Sequence, residues 1–136
     1  MRVLYGRLPG FGLSADGRRM AADAARYVND LDRPLASLVC SPLQRARESS
    51  IPFSELFGFE PRVDERVIEP TNVFEGRRMK QALANPANWR YLRRPEIPSW
   101  GEPYVSVVER MHAAMNEAWD ATDGGDVAIV SHQLPI

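Results

Sequence analysis

Two short apolar segments, each followed at once by polar residues, limit the folds open to this chain of 136 residues. Val127 to Val130 form a continuous apolar run, which is typical of a strand buried on both faces of a parallel sheet. Leu35 to Cys40 form a second segment of this kind, and helical patterns lie before and between the two. Strands that alternate with helices predict an α/β fold, with a mostly parallel sheet and helices on both of its faces. Ligands of such folds bind at the carboxyl ends of the strands.

Helical spacing predicts two long amphipathic helices. The first begins after Ser14, which is suited to be its N-cap, and extends to about Asp30. The second covers Tyr104 to Trp119, and Gly124-Gly125 follow its end. The predicted inward faces consist of Met20, Ala24, Tyr27, Val28 and Leu31 in the first helix and of Tyr104, Val108, Met111, Met115 and Ala118 in the second.

Shorter elements connect these parts. Ser41-Pro42 predicts an N-cap followed by proline at the first position of a helix, which Pro52 interrupts before Phe53–Phe59 continue it after a kink. The other predicted elements are a short strand within Arg62–Glu69, short helices at Met79–Leu83 and Trp89–Leu92, a loop over Arg93–Pro103, and the last strand at Asp126–Ser131.

Composition narrows the class of protein. Hydrophobic residues make up 44% of the chain and charged residues 26%, which is typical of an ordered globular domain. The net charge of -1 gives no reason to expect nucleic acid or an anionic membrane as a partner. No apolar run approaches the roughly 20 residues of a membrane span. Cys40 is the only cysteine, which excludes an internal disulfide, and we expect a cytoplasmic location.

Arg45 and His132 follow the two predicted strands and are the first candidates for a binding site. A helix N-terminus directly after a strand presents free N–H groups to an anion, and Arg45 in its first turn can add a guanidinium. His132 comes directly after the last strand, where it could bind phosphate as a cation or act as nucleophile or acid/base. Taken singly, each also fits a plain role, a surface arginine in one case and a hydrogen-bonded loop histidine in the other.

Glu69 is the candidate for proton transfer, because a carboxyl group at the end of a predicted strand can protonate a leaving oxygen. Glu75 and Glu102 are loop carboxylates with weaker claims. His112, the only other histidine, lies within the second long helix, where we expect a packing or surface role. No His, Cys or Asp cluster has metal-ligand spacing and no P-loop is present, which favours a site with neither metal nor cofactor.

Five short motifs occur in a fixed order along the chain. They are Leu13-Ser14-Ala15-Asp16-Gly17, Cys40 to Ala46, Ile68-Glu69 with Phe74-Glu75-Gly76, Gly101-Glu102, and Val130-Ser131-His132. Together they resemble the histidine phosphatase superfamily, which has the phosphoglycerate-mutase-like fold and the motifs L-T-x-x-G, S-P-L-x-R-A, E…W-E-G, G-E-S and V-S-H-G. One such motif is weak support, but five in order are strong.

The resemblance implies a role for each candidate. Arg45 would bind the phosphoryl group, His132 would stabilise it in the transition state, and Glu69 would protonate the leaving oxygen. The implied function is a metal-independent phosphomonoester hydrolase that acts through a phosphohistidine on a small phosphorylated metabolite. Phosphatase is preferred over a phosphoglycerate-mutase-type phosphotransferase, because the mutases carry E-R-H-Y-G where Glu69 here precedes Pro70 to Val73.

The chain departs from the family pattern at the nucleophile. That residue is the histidine of an R-H-G motif at the end of the family's first strand, and the 136 residues contain no R-H-G. Met1 to Arg7 resemble the loop that follows it. Gln133 stands in place of the glycine of S-H-G, and Pro103 in place of the serine of G-E-S. We therefore expect the chain as given to be inactive or nearly so.

These departures predict the domain organisation. Residues 1–136 are expected to be one histidine-phosphatase-like domain that lacks the first strand and a C-terminal part. An internal piece of a longer phosphatase is favoured over a degenerate member, because Arg45, Glu69 and His132 all persist.

Two alternatives remain open. One is a binding module that holds a phosphorylated ligand through Arg45 and His132 without turnover. The other is an interaction fragment or homo-oligomer, in which exposed strand edges pair with another chain. Substrate choice would depend on the Pro70–Pro103 insertion, whose aromatic and basic residues fit either ligand binding or ordinary packing: Trp89, Arg90, Tyr91, Arg93 and Arg94.

Overall fold

The two apolar segments form neighbouring strands, as predicted. The computed structural model describes residues 3–92 and 100–136. Strands β1 (Leu35–Cys40), β2 (Arg62–Val63) and β3 (Asp126–Val130) form a parallel sheet in the order β2-β1-β3. Cys40 pairs with Val63 on one side and with Val130 on the other, so all three strands end at the same edge of the sheet.

Helices cover both faces of this sheet. The α-helices of the described residues are α1 (Ala15–Asp30), α2 (Gln44–Phe57), α3 (Met79–Ala84) and α4 (Tyr104–Asp120), with 3-10 helices at Glu65–Val67 and Pro86–Leu92. Val39 packs in one core cluster with Met111 and Ala114 of α4. The next side chain, Cys40, points to the opposite face, where its thiol contacts the Ser50 hydroxyl of α2. The predicted α/β class with helices on both faces is confirmed.

The inward face predicted for α1 is wrong. Ala25 is the buried residue of this helix, whereas Met20 and Tyr27 are each 67% exposed. Helix α1 packs against α2, and the one residue of α1 that is fully buried carries a small side chain. Ser14 does cap α1, since its Oγ accepts the Gly17 N–H at 3.1 Å.

The inward face predicted for α4 is partly wrong. Met111 and Ala118 are buried as expected, whereas Val108 and Met115 are about half-exposed. The buried positions are Val107, Met111, Ala114 and Ala118, a set with helical spacing that differs from the predicted one. Spacing alone permits both faces, and contact with the sheet selects one of them.

Pro52 does not interrupt α2, which differs from the prediction. The helix continues to Phe57 and ends where Gly58, at φ 80°, takes the left-handed conformation and donates its N–H to Ser54. Phe53 and Phe57, one turn apart, stack with 6.4 Å between ring centroids. Packing of this kind can offset the single hydrogen bond that a proline removes.

The predicted strand before Glu69 is only two residues long. Asp64 ends β2, because its carboxylate accepts the N–H of Arg66 at 2.9 Å and caps the 3-10 helix Glu65–Val67. Glu69 therefore follows a turn instead of ending a strand. This is a correction to the expected local structure.

The Pro70–Pro103 insertion is described only in part. Trp89 is 59% exposed, and its indole N–H donates to the Leu83 carbonyl. Tyr91 packs edge-on against Phe74 with 6.0 Å between ring centroids. Arg93 and Arg94 lie outside the described residues. Within residues 3–92 and 100–136, no helix is long and apolar enough to cross a bilayer.

Candidate active site

Arg45 reaches the carboxyl edge of the sheet from the first turn of α2. Leu43 is the N-cap of this helix, so Ser41 is not the cap that the sequence predicts. The Arg45 side chain is largely buried, and its Nη2 donates to the Gly6 carbonyl at 3.0 Å. Its guanidinium also lies 5.0 Å from the centroid of the Tyr5 ring, a cation–π contact.

His132 lies two residues beyond the end of β3 and is buried. Its Nε2 is 2.7 Å from Oγ of Ser41, which follows β1 directly. The Ser41 N–H donates to the Val130 carbonyl at 2.9 Å, so the ends of the two strands are tied together at this point. Sheet pairing thereby places the histidine next to the start of α2.

Glu69 lies between the other two predicted residues. Its Oε2 is 3.7 Å from Nη2 of Arg45 and 3.5 Å from Nδ1 of His132. The structure therefore brings together the three residues named from the sequence, which we call the central trio. Their roles remain a proposal.

A second set of side chains supports the segment that carries Glu69. Arg7 donates to the Glu69 carbonyl and lies 3.5 Å from Glu102. Arg110 of α4 forms a bidentate pair with Glu102 at 2.8 and 3.0 Å and donates to the Arg66 carbonyl. We call Arg7, Glu102 and Arg110 the outer network. It holds the backbone at two points, the carbonyl groups of Arg66 and Glu69.

The electrostatics of the site shift the pKa values of two groups in opposite directions. Burial lowers the pKa of His132 to about 4, and the guanidinium groups of Arg45 and the outer network add to this effect. The imidazole is therefore neutral at pH 7, and its contact with Glu69 is not an ion pair. Burial raises the pKa of the Glu69 carboxyl, although the same three guanidinium groups oppose the shift.

A cavity of about 410 Å³ opens onto the central trio. Its lining consists of Val3, Leu4, Tyr5, Gly6, Leu13, Arg45, Ala46, Ser49, Glu69, Ser131, His132 and Gln133. A larger cavity, about 690 Å³, lies along the other side of α2. One carboxylate that lines it, Glu48, already accepts the N–H of Leu13 and pairs with Arg18. The smaller cavity is the better candidate, because convergent polar groups with shifted pKa values lie within it.

Metal ligands do not converge in the part of the chain that the structure describes, since no three His, Cys, Asp or Glu side chains come together there. His112 is exposed on α4.

Glu75 packs against Gly6, and its Oε1 is buried without a hydrogen-bond partner among the described residues. Gly6 has φ 42°, and a Cβ there would lie 2.3 Å from that oxygen, so the position requires glycine.

Three residues that contribute to the site were not predicted from the sequence. Ser41 was assigned to a helix cap, whereas it contacts His132. Arg7 lies in a segment that has the composition of a plain loop, and Arg110 lies on a helix whose pattern indicates packing only. Their roles depend on long-range contacts, which local sequence patterns do not predict. Only Ser41 had a sequence signal, since it lies in the same motif as Arg45.

Comparison with known proteins identifies the family. A family model described as Histidine phosphatase superfamily (branch 1) matches residues 2–136. The chain belongs to this superfamily. Among its relatives, the uncharacterised protein Rv0525 of Mycobacterium tuberculosis is 45% identical over 138 residues, which cover 98% of this chain and 67% of that protein.

Solved structures of the superfamily share the fold. The mycobacterial glucosyl-3-phosphoglycerate phosphatase Rv2419c is 26% identical with a TM-score of 0.79, covering 98% of this chain and 68% of that one. Its complex with VO3 matches with a TM-score of 0.81, at 26% identity and coverages of 98% and 69%. The alpha-ribazole phosphatase of Shigella flexneri, at 23% identity, TM-score 0.72 and coverages of 96% and 66%, is similar in fold alone. The chain thus spans about two thirds of the length of these relatives.

Proposed function

We propose that this chain supplies the phosphoryl-binding and proton-donating part of a metal-independent phosphomonoester hydrolase that acts through a phosphohistidine. The observation that carries the proposal is the central trio, in which one Glu69 oxygen lies 3.7 Å from Arg45 and 3.5 Å from His132 at the cavity. Membership of the superfamily supports it. So does the fact that a relative 26% identical has been solved with VO3 and with inorganic phosphate.

The chemistry assigns one task to each residue. A histidine nitrogen attacks phosphorus, the bond from phosphorus to the ester oxygen breaks, and the Glu69 carboxyl gives its proton to that oxygen. Water then attacks the phosphohistidine, Glu69 takes up a proton from it, and inorganic phosphate leaves. Arg45 and His132 bind the phosphoryl oxygens throughout. The raised pKa of Glu69 favours the protonated form that the first step uses.

The attacking histidine is not His132, which binds the phosphoryl group in this scheme. The other histidine of the sequence, His112, lines a different groove from the cavity of the central trio. In the proposed reaction the nucleophile comes from an R-H-G motif of an intact, longer protein. We expect the 136-residue chain to bind phosphate without hydrolysing esters.

A small phosphorylated metabolite is the proposed substrate class. The phosphatases similar in structure are named for two different small molecules, glucosyl-3-phosphoglycerate and alpha-ribazole. Hydrolysis is proposed over phosphotransfer, because Pro70 to Val73 follow Glu69 where the mutases carry E-R-H-Y-G.

A binding module without turnover is the second candidate. The observation that favours it is that only one histidine, His132, lies at the cavity in the described residues. Such a module would bind phosphate with the same residues, and a lengthened protein would still show no hydrolysis.

The first experiment measures inorganic phosphate binding by calorimetry for the chain and for Arg45→Ala. Loss of charge-assisted hydrogen bonds worth about 1.5–3 kcal/mol should weaken binding at least 10-fold. Arg47→Ala is the matched control, because Arg47 is exposed on the same helix and should leave the affinity unchanged. Equal affinities for chain and Arg45→Ala would contradict the site assignment.

Hydrolysis separates the two candidates. Hydrolysis of p-nitrophenyl phosphate is measured for the 136-residue chain and for a protein that is extended at its N-terminus, in frame, to include an R-H-G motif. Turnover by the extended protein alone supports the phosphatase. No turnover by either, with phosphate binding intact, favours the binding module.

A further inference from the structure

The hydrogen bonds of Ser41 determine which nitrogen of His132 carries the proton. Ser41 is fully buried, and its Oγ has two partners in the described residues. One is the N–H of Leu43 at 3.4 Å, which can only donate, and the other is Nε2 of His132 at 2.7 Å. A hydroxyl group has one proton to donate and can accept two hydrogen bonds.

Only one direction of the hydrogen bond between Ser41 and His132 satisfies every donor. If Nε2–H donated to Ser41, the oxygen would accept from both partners, and its own proton would be buried with no acceptor among the described residues. A buried donor without an acceptor costs about 1–3 kcal/mol. If Ser41 donates to Nε2 and accepts from Leu43, every group is satisfied.

The opposite side of the ring supports the same arrangement. Nδ1 lies 3.5 Å from Oε2 of Glu69. With Nε2 as acceptor, the neutral imidazole carries its proton on Nδ1, which then faces a carboxylate oxygen. The alternative places a nitrogen lone pair against that oxygen, which is repulsive whenever Glu69 is ionised.

We propose that Ser41 is a positioning residue that donates to Nε2 of His132 and holds the imidazole as the Nδ1–H tautomer, aimed at the phosphoryl site. A neutral His132 then donates a hydrogen bond to a phosphoryl oxygen and needs no proton from solvent. This matters because burial, together with the positive charges of Arg45, Arg110 and Arg7, disfavours the cationic form of the ring. The role of His132 in binding a phosphoryl oxygen rests on the proposed function, whereas the assignment of the tautomer rests only on the hydrogen bonds of Ser41.

The test reads the tautomer directly by long-range 1H–15N NMR on the 136-residue chain. Protonated and unprotonated nitrogens of a neutral imidazole differ strongly in 15N shift, and only His112 and His132 contribute. At pH 7, Nδ1 of His132 should be protonated and Nε2 should not. The opposite assignment in the wild-type chain overturns the proposal, whether or not any variant folds.

Variants then isolate the hydroxyl group. Ser41→Ala should convert His132 to a mixture or to the Nε2–H tautomer, and should weaken inorganic phosphate binding about 3- to 10-fold. Ser41→Thr keeps the hydroxyl and should restore both. Ser50→Ala is the matched control, because Ser50 is equally buried but donates to the Arg47 carbonyl. An unchanged tautomer in a folded Ser41→Ala chain also overturns the proposal.

The two proposals fail separately. If phosphate does not bind but the tautomer and its response to Ser41→Ala are as expected, the proposed function is wrong and the positioning role of Ser41 stands. If phosphate binds through Arg45 but His132 is the Nε2–H tautomer, only the role of Ser41 is wrong.

Discussion

At the scale of single residues, burial is the main reason why the pKa of His132 is lower than that of an ordinary histidine. Its side chain is 4% exposed and contacts a neutral hydroxyl, so the charged form loses its hydration without gaining a strong partner. Glu69 is close, but its own carboxyl is pushed toward the neutral form by burial. Burial therefore disfavours, in both groups, the charged form that an ion pair between them requires, and the proposed function uses the neutral forms.

His132 gives a prediction about pH. Above pH 6.5 the imidazole is neutral in both the folded and the unfolded chain. Between pH 6.5 and about 4 only the unfolded chain protonates this histidine, so the contribution of His132 to the free energy of unfolding should fall as the pH falls, by up to about 3 kcal/mol. The raised pKa of Glu69 contributes with the opposite sign. An NMR titration of the His132 C–H resonance should show a midpoint of about 4 in the free chain, and a higher midpoint with inorganic phosphate present. A free-chain midpoint at or above 6.5 would show that burial does not control this group.

At the scale of elements, the contact between α1 and α2 depends on small side chains. Ala25 is 1% exposed at the centre of α1, and its neighbours Met20 and Tyr27 point outward. The expectation that the largest apolar residues face inward is wrong for this helix, because the position that is buried carries alanine. Both helices matter for the site, since α2 carries Arg45.

Ala25 provides the matching test. Ala25→Leu should lower the free energy of unfolding by about 1–3 kcal/mol, because extra methyl groups at a packed contact displace the helices. Ala24→Leu is the control, since Ala24 is exposed on the same helix and leucine is a good helix former. Urea unfolding of both variants measures the difference. Equal stabilities would mean that α1 is loosely packed on α2.

At the scale of the whole molecule, the apolar surface beside β3 is incompletely covered. Among the described residues β3 pairs with β1 on one side only, and its side chains are half-buried. On α4, Val108, Met115 and Trp119 are between 47% and 64% exposed. Exposed strand edges and apolar faces favour association, so the homo-oligomer that the sequence left open as an alternative stays a prediction, in which a second copy covers this surface.

Association should depend on Trp119. Sedimentation should show a concentration-dependent dimer, and Trp119→Lys should weaken it at least 10-fold while the free energy of unfolding stays within about 0.5 kcal/mol. Trp89→Lys is the control, because Trp89 is similarly exposed on the 3-10 helix Pro86–Leu92. A monomer at every concentration would contradict the prediction.

The cytoplasmic location also stays a prediction.

The elements that the sequence predicted well are those with strong local patterns. β1, β3, α1 and α4 lie within about two residues of their predicted bounds, because apolar runs, caps and glycines act locally. The predictions failed where a competing local contact decided the outcome. Asp64 caps a turn where a longer strand was expected, and Phe53 and Phe57 support a helix that passes through proline.

By itself the sequence determined the α/β class and the order of the main elements, because apolar runs and helical spacing are local patterns. It also named the three residues of the central trio from short motifs, although Glu69 follows a turn and not the strand that was expected. Only the tertiary structure decided which faces of α1 and α4 are buried, and that Arg7 and Arg110 support the segment before Glu69. It also decided that Ser41 contacts His132, although 91 residues separate them in the chain. The reason is physical: periodicity and capping are local, whereas the contacts that complete the site depend on sheet pairing across the whole chain.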